Sequence, residues 1–87
     1  MKAKTRDGRE LDLVLYKFDS CLFCKRVDRV VRRLGVPMDL RDTRRDAAAA
    51  RELVRVGGDD QVPCLFVDGK PMYESADIIE FLEENFG

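Results

Sequence analysis

The sequence contains no histidine and no tryptophan, and it has only three cysteines and three prolines among its 87 residues. Without histidine, the chain alone can build neither a Ser-His-Asp or Cys-His catalytic group nor a histidine-ligated zinc site. No apolar run approaches the roughly 18 residues that a membrane span needs. The first ten residues also lack the apolar core of a secretory signal peptide. These absences predict a cytoplasmic protein that does not associate with membranes.

Charge of one sign does not dominate either. Sixteen Lys and Arg residues nearly cancel seventeen Asp and Glu residues, which leaves a formal net charge of −1. We therefore expect no nucleic-acid partner, because proteins that bind nucleic acids carry a basic footprint. The length suits one domain. We expect the polar residues 1–9 to form a flexible lead-in and residues 10–87 to form the folded domain.

The cysteines are Cys21, Cys24 and Cys64. An odd number argues against a framework of disulfides. Three thiolates are also one ligand short of a closed structural zinc site, so we expect no metal. Haem attachment requires a histidine directly after a Cys-x-x-Cys pair, and here Lys25 follows. The role of Cys21 and Cys24 must therefore be inferred from the strands and helices that surround them.

Hydrophobic periodicity predicts strands and helices in the order β-α-β-α-β-β-α. Residues 11–18 have the pattern of a buried strand, and residues 24–34 have the apolar spacing of a helix that Gly35 ends. A second strand covers 36–40. Asp42 or Thr43 is expected to cap a second helix, which ends at Gly57 and Gly58.

The last third of the chain continues this order. Pro63 opens a third strand through Val67, and Asp68-Gly69 is a strong signal for a two-residue hairpin. A fourth strand covers 71–73, and Ser75 is expected to cap the last helix. A right-handed parallel β-α-β unit followed by an antiparallel hairpin predicts a four-stranded mixed sheet flanked by helices, an α/β fold.

This order places the cysteine pair just beyond the first strand, at a helix N-terminus. Unpaired backbone N–H groups, the helix macrodipole and the charges of Lys25 and Arg26 all stabilise a thiolate there. The thiolate is the form that attacks a disulfide. We therefore expect Cys21 to be the attacking thiol and Cys24, one turn further, to be the resolving thiol.

Three further features allow more than one interpretation. The Val62–Pro63 bond can be cis, which exposes the Val62 backbone to a peptide-like ligand, or trans at a strand start. Cys64 reads as a small buried strand residue, with a third redox thiol as the alternative. The arginines between 41 and 55 read as a solvated helix face, with Arg55 as an alternative ligand for a carboxylate.

Four segments carry a resemblance to the glutaredoxins, which are thioredoxin-like glutathione-binding domains: Cys21-Leu22-Phe23-Cys24, Gln61-Val62-Pro63, Asp68-Gly69-Lys70-Pro71 and Glu74-Ser75-Ala76-Asp77. The resemblance implies a thioredoxin fold with a cis-Pro63, catalytic cysteines at Cys21 and Cys24, and glutathione as the reductant. The residues that it implies for glutathione binding are Lys17, Phe23, Gln61, Val62, Pro63, Glu74 and Ser75.

Two features depart from the glutaredoxin pattern. Glutaredoxins usually carry Cys-Pro-Tyr-Cys, whereas Leu22 and Phe23 lie between the cysteines here. The Glu74-Ser75 pair instead looks like the N-terminal domain of glutathione S-transferases, where such a pair holds the γ-glutamyl end of glutathione. Glu74 can pair with the γ-glutamyl ammonium, and the Ser75 hydroxyl with the helix amides can bind its carboxylate.

The resulting hypothesis is a glutathione-dependent thiol–disulfide oxidoreductase, active as a monomer on disulfide-containing or glutathionylated proteins. The alternatives are a redoxin reduced by thioredoxin reductase, an iron–sulfur cluster carrier that uses Cys21 from two chains, and a glutathione-binding module without turnover. A conjugating transferase normally requires an added helical domain, for which we expect 87 residues to leave no room.

Overall fold

The computed structural model describes residues 1–87 and contains five strands and three helices. In chain order they are β1 (Lys2–Lys4), β2 (Glu10–Lys17), α1 (Leu22–Leu34), β3 (Asp39–Asp42), α2 (Ala47–Gly57), β4 (Cys64–Val67), β5 (Lys70–Met72) and α3 (Ser75–Phe86). The α/β class, the mixed sheet and the order of the seven expected elements are confirmed. The structure adds one strand at the N-terminus.

The sheet is built around β2, which pairs with β3 in parallel and with β4 antiparallel. β4 then pairs antiparallel with β5 through the Asp68-Gly69 turn, in which both residues have positive φ. Positive φ at both turn positions suits the right-handed twist of the flanking strands. The end of β2, the start of β4 and the end of β5 therefore meet at one edge of the sheet.

Part of the segment expected to be a flexible lead-in, residues 1–9, forms a strand. Lys2–Lys4 pairs antiparallel with the first half of β2, beside the half that β3 occupies. Ala3 and Thr5 are buried, with 1% and 5% of their surfaces exposed. The alternation of charged and small residues in this segment is the period-2 pattern of a strand with one buried face.

Two hydrophobic layers cover the two faces of the sheet. Alternate residues of β2 point to opposite sides, so Leu13 and Leu15 pack against α1 and α3, whereas Tyr16 packs against α2. The larger layer includes Val27 of α1 and Ile78 of α3, both fully buried. None of the three helices is long and apolar enough to cross a membrane.

The boundaries around α2 also differ from expectation. β3 begins at Asp39 rather than at residue 36, and α2 is capped by Asp46, whose carboxylate accepts hydrogen bonds from the N–H groups of Ala48 and Ala49. Asp42 instead closes the preceding turn, because its carboxylate accepts from the N–H groups of Arg44 and Arg45. Both aspartates have the side chain of an N-cap, and only the turn geometry distinguishes their roles.

Candidate functional site

Cys21 is the N-cap residue of α1. Its backbone is extended, with φ −81° and ψ 118°, and its Sγ accepts a hydrogen bond from the N–H of Cys24 at 3.3 Å. Cys21 is partly exposed, whereas Cys24 is 3% exposed. The dithiol thus lies where the sequence predicts, with one sulfur open to solvent and the other behind it.

Burial raises the pKa of the Cys24 thiol to about 12, and a hydrogen bond with Cys21 contributes in the same direction. Cys24 therefore keeps its proton at neutral pH. A protonated thiol next to Cys21 can stabilise negative charge on that sulfur by donating to it. This arrangement suits an exposed attacking thiol and a buried resolving thiol.

Iodoacetamide at neutral pH is expected to alkylate Cys21 alone in the reduced, folded protein. Burial raises the pKa of Cys64 to about 11, and Cys64 is 0% exposed, so its thiol is protonated and inaccessible; the Cys24 thiol is also protonated, and Cys24 is only 3% exposed. Only thiolates react at an appreciable rate. Mass spectrometry should detect one adduct on the native chain and three in denaturant. A second adduct on the native chain would contradict the assignment of the two buried thiols.

Val62 lies at the same edge of the sheet as the dithiol. Tyr16 of β2 pairs with Cys64 of β4, so continuing this register places Pro63 and Val62 beside the end of β2. The Val62–Pro63 bond is cis, as the resemblance implied. Neither the N–H nor the C=O of Val62 makes a hydrogen bond within the chain. This leaves a backbone donor and acceptor free for an extended ligand.

Glu74 follows β5 at that edge with an unusual backbone. Its φ is +65° and its ψ is 111°, a conformation that costs a non-glycine residue about 1–3 kcal/mol. The exposed carboxylate has one weak contact, from the amide Nε2 of Gln61 at 3.5 Å. The structure therefore brings Gln61, Val62 and Glu74 together beside the dithiol.

Ser75 is not the cap of the last helix, contrary to expectation. α3 begins at Ser75 and is preceded by Glu74, and no side chain caps it. The Ser75 hydroxyl makes no hydrogen bond, and the first amide bonded within the helix is that of Ile78 to the Glu74 carbonyl. The hydroxyl and the amides of the first turn thus remain available to an anion.

Tyr73 was not singled out by sequence reasoning, although it supports this half of the site. Its hydroxyl donates to the Asp59 carbonyl at 3.0 Å and lies close to Gly57, where a Cβ atom would come within 2.5 Å of it. Burial raises the pKa of Tyr73 to about 12, so the phenol remains a donor. These contacts anchor the loop that carries Gln61 and Val62.

Lys17 and Phe23 both lie close to Cys24. The Lys17 ammonium pairs with Asp19 at 2.8 Å, between β3 and α1. There it lines a cavity of about 290 Å³ whose other walls are Phe18, Asp19, Cys24, Lys25, Asp28, Arg32 and Leu40. Phe23 is 56% exposed on the first turn of α1.

The arginines between 41 and 55 do not form one solvated helix face. Arg41 lies on β3 and binds Glu52 and the Tyr16 hydroxyl. Arg44 precedes α2; its guanidinium lies 3.8 Å from the centre of the Phe18 ring and donates to the Ser20 hydroxyl at 3.0 Å. Arg45 pairs with Asp19 at 3.2 Å, so Arg44 and Arg45 are the arginines of this stretch that contact the segment leading into the dithiol.

The central parallel β-α-β unit, the antiparallel hairpin, the helices on both faces and the dithiol at the start of α1 define a thioredoxin-like domain. Residues 15–87 match the family described as Glutathione S-transferase, N-terminal domain. The chain belongs to that family.

Solved structures support the same fold. Glutathione transferase Omega 3C from Trametes versicolor is 27% identical with a TM-score of 0.73, and the match covers 84% of this chain and 33% of that one. Rice GST1, solved in complex with glutathione, is 25% identical with a TM-score of 0.70, covering 84% and 33%. A thioredoxin-like protein, 22% identical with a TM-score of 0.75, is matched over 87% of this chain and all of its own length.

The chain spans about a third of the length of the glutathione transferases that it matches. A search of curated proteins finds no match.

Proposed function

We propose that this domain is a glutathione-dependent thiol–disulfide oxidoreductase of the glutaredoxin type, which reduces protein disulfides or glutathione mixed disulfides. The observation that carries the proposal is the pair of unequal thiols at the start of α1. Cys21 is the partly exposed cap, and Cys24 is buried and protonated behind it. Such a pair is suited to disulfide exchange, in which one thiol attacks and the other resolves.

The catalytic cycle has two halves, reduction of the substrate and regeneration of the domain by glutathione, and each half consists of two thiol–disulfide exchanges. The Cys21 thiolate attacks one sulfur of a protein disulfide, forms a mixed disulfide and releases the other sulfur as a thiolate that takes up a proton. Cys24 loses its proton and attacks Cys21, which gives the Cys21–Cys24 disulfide and frees the reduced substrate. A glutathione thiolate then attacks Cys21 and releases Cys24. A second glutathione attacks the bound glutathione sulfur, so two glutathiones leave as one glutathione disulfide and Cys21 is regenerated.

Groups at one sheet edge match the functional groups of glutathione. The Glu74 carboxylate can pair with the γ-glutamyl ammonium, and Ser75 with the first amides of α3 can bind the γ-glutamyl carboxylate. The free N–H and C=O of Val62, next to Pro63, can pair with the peptide backbone, and Gln61 borders the same groove.

The remaining contacts lie closer to Cys21. The exposed Phe23 ring flanks the position that the glutathione sulfur must reach. Arg44 is held in place by Phe18 and Ser20, and it has further N–H groups for the glycine carboxylate. We assign that carboxylate to Arg44 rather than to Lys17, because the Lys17 ammonium is already hydrogen-bonded to Asp19.

The test is turnover of hydroxyethyl disulfide with two electron donors compared side by side: glutathione with glutathione reductase, and thioredoxin reductase alone. We expect turnover that depends on glutathione and that thioredoxin reductase does not support. Activity with thioredoxin reductase alone would assign the domain to a different redoxin class. Absence of exchange with both donors, together with glutathione conjugation to an electrophile such as chlorodinitrobenzene, would contradict the proposal.

A further inference from the structure

The outer face of α1 is strongly basic. Between residues 25 and 33 the helix carries one acidic residue and five basic residues, all of the latter exposed: Lys25, Arg26, Arg29, Arg32 and Arg33. Arg32 pairs with Asp28 at 2.9 Å, and Arg33 pairs with Glu83 at 3.5 Å. Lys25, Arg26 and Arg29 make no ion pair and no side-chain hydrogen bond within the chain. We name these three residues the α1 basic ridge.

Helix stability does not explain the ridge. Cations near a helix N-terminus are unfavourable because they face the positive end of the macrodipole, and the first turn of α1 contains no acidic residue to offset them. Arg32 and Arg33, in the last turn, have the favourable location. Lys25 and Arg26 therefore occupy positions that weaken the helix.

Stabilisation of the Cys21 thiolate accounts for only part of the ridge. Lys25 and Arg26 are four and five residues from Cys21, or about 6 and 7.5 Å along the helix axis. Arg29 is eight residues away, or about 12 Å along the helix axis, which exceeds the Debye length of about 8 Å at physiological salt. Its charge does little for Cys21, yet it extends the same exposed strip away from the dithiol.

The charges of the neighbouring helix indicate what kind of partner this strip can accept. α3 packs beside α1, and its charged residues are all acidic and exposed: Asp77, Glu80, Glu83 and Glu84. A long, uniformly anionic polymer such as nucleic acid would be repelled by α3 as it followed α1. A short acidic protein segment can occupy the ridge alone.

We propose that the α1 basic ridge is a docking surface for acidic segments that flank the target disulfide of protein substrates. This inference rests on the proposed function and specifies its substrate class. An acidic segment on the ridge places a nearby disulfide at the N-terminus of the same helix, where Cys21 attacks. Electrostatic steering of this kind mainly raises the association rate, and salt weakens it.

The test uses three matched peptides with one internal disulfide, flanked by Glu, Gln or Lys. We expect kcat/KM at low salt to be about tenfold higher for the Glu peptide than for the Lys peptide, with the difference falling at high salt. Arg29→Glu should lower the rate for the Glu peptide severalfold and raise the rate for the Lys peptide. Equal rates for the three peptides would overturn the proposal.

The control is Arg51→Glu, which makes the same charge change at an exposed arginine on the opposite face of the sheet. It should leave the peptide preference intact, and both variants should reduce hydroxyethyl disulfide at the wild-type rate. If both variants lost the preference for the Glu peptide equally, the effect would be one of overall charge, and the assignment to α1 would be overturned.

A binding measurement separates this inference from the proposed function. A cysteine-free Glu peptide should shift the NMR amide signals of α1 in the wild type, and less so in Arg29→Glu, even if no disulfide is reduced. Absence of shifts in α1 would overturn the docking surface while leaving oxidoreductase activity to its own assay. Shifts produced by duplex DNA at lower concentration than the peptide would identify a nucleic-acid surface instead.

Discussion

Cys21→Ser is expected to lower glutathione-dependent turnover by more than about a thousandfold, the scale of loss when a nucleophile is removed. The hydroxyl of serine cannot form the mixed disulfide, and no other thiol can replace Cys21. Cys24 is 3% exposed and Cys64 is 0% exposed, and burial raises the pKa of both well above neutral pH. The measurement is the initial rate of hydroxyethyl disulfide reduction.

Two further cysteine variants serve as matched controls. Cys24→Ser should still reduce glutathione mixed disulfides, because that reaction needs only the attacking thiol, but it should fail to release protein disulfide substrates. Cys64→Ala should retain full activity, since Cys64 lies in the layer between the sheet and α2. Substantial activity in Cys21→Ser, or loss of activity in Cys64→Ala, would contradict the assigned roles.

Glu74→Gly is expected to raise the KM for glutathione by one to two orders of magnitude while making the domain more stable. Loss of a charged hydrogen bond typically costs about 1.5–3 kcal/mol. The free energy of unfolding should rise, because Glu74 has φ +65°, which glycine adopts without steric cost. The increase in the free energy of unfolding should be about 1 kcal/mol, once the entropic cost of ordering a more flexible glycine is subtracted.

Glu74→Gln separates the two effects, because it keeps the strained backbone and removes only the charge. It should raise the KM without stabilising the fold. Steady-state kinetics with varied glutathione and urea denaturation of each variant provide the two readouts. If both variants bound glutathione like the wild type, Glu74 would not contact the γ-glutamyl group.

Local signals were sufficient for much of the fold. The Asp68-Gly69 turn was predictable because the two residues tolerate positive φ, and the end of α1 at Gly35 was predictable for the same reason. The alternation of β2 predicted a buried strand. β1 was missed because three residues give a weak pattern, and because their burial depends on pairing with a strand that begins six residues after β1 ends.

The half of the site that is contiguous in the chain was also predictable. Cys21 and Cys24 are three residues apart on one helix, so their spacing alone implies their proximity. The locations of Lys17 and Arg44 were not predictable in this way. The packing of α1 beside β2 and β3 places Lys17 in the cavity next to Cys24, and the turn before α2 places Arg44 on Phe18.

The α/β order, the dithiol and its location at the start of a helix were thus predictable from the sequence, because they follow from periodicity and short-range geometry. Which polar groups share the edge of the sheet with the dithiol depends instead on long-range strand pairing. Gln61, Val62 and Glu74 meet there because β2, β4 and β5 are held in register by hydrogen bonds between segments remote in sequence. The strain at Glu74 likewise arises where only two residues connect β5 to α3, which no residue pattern encodes.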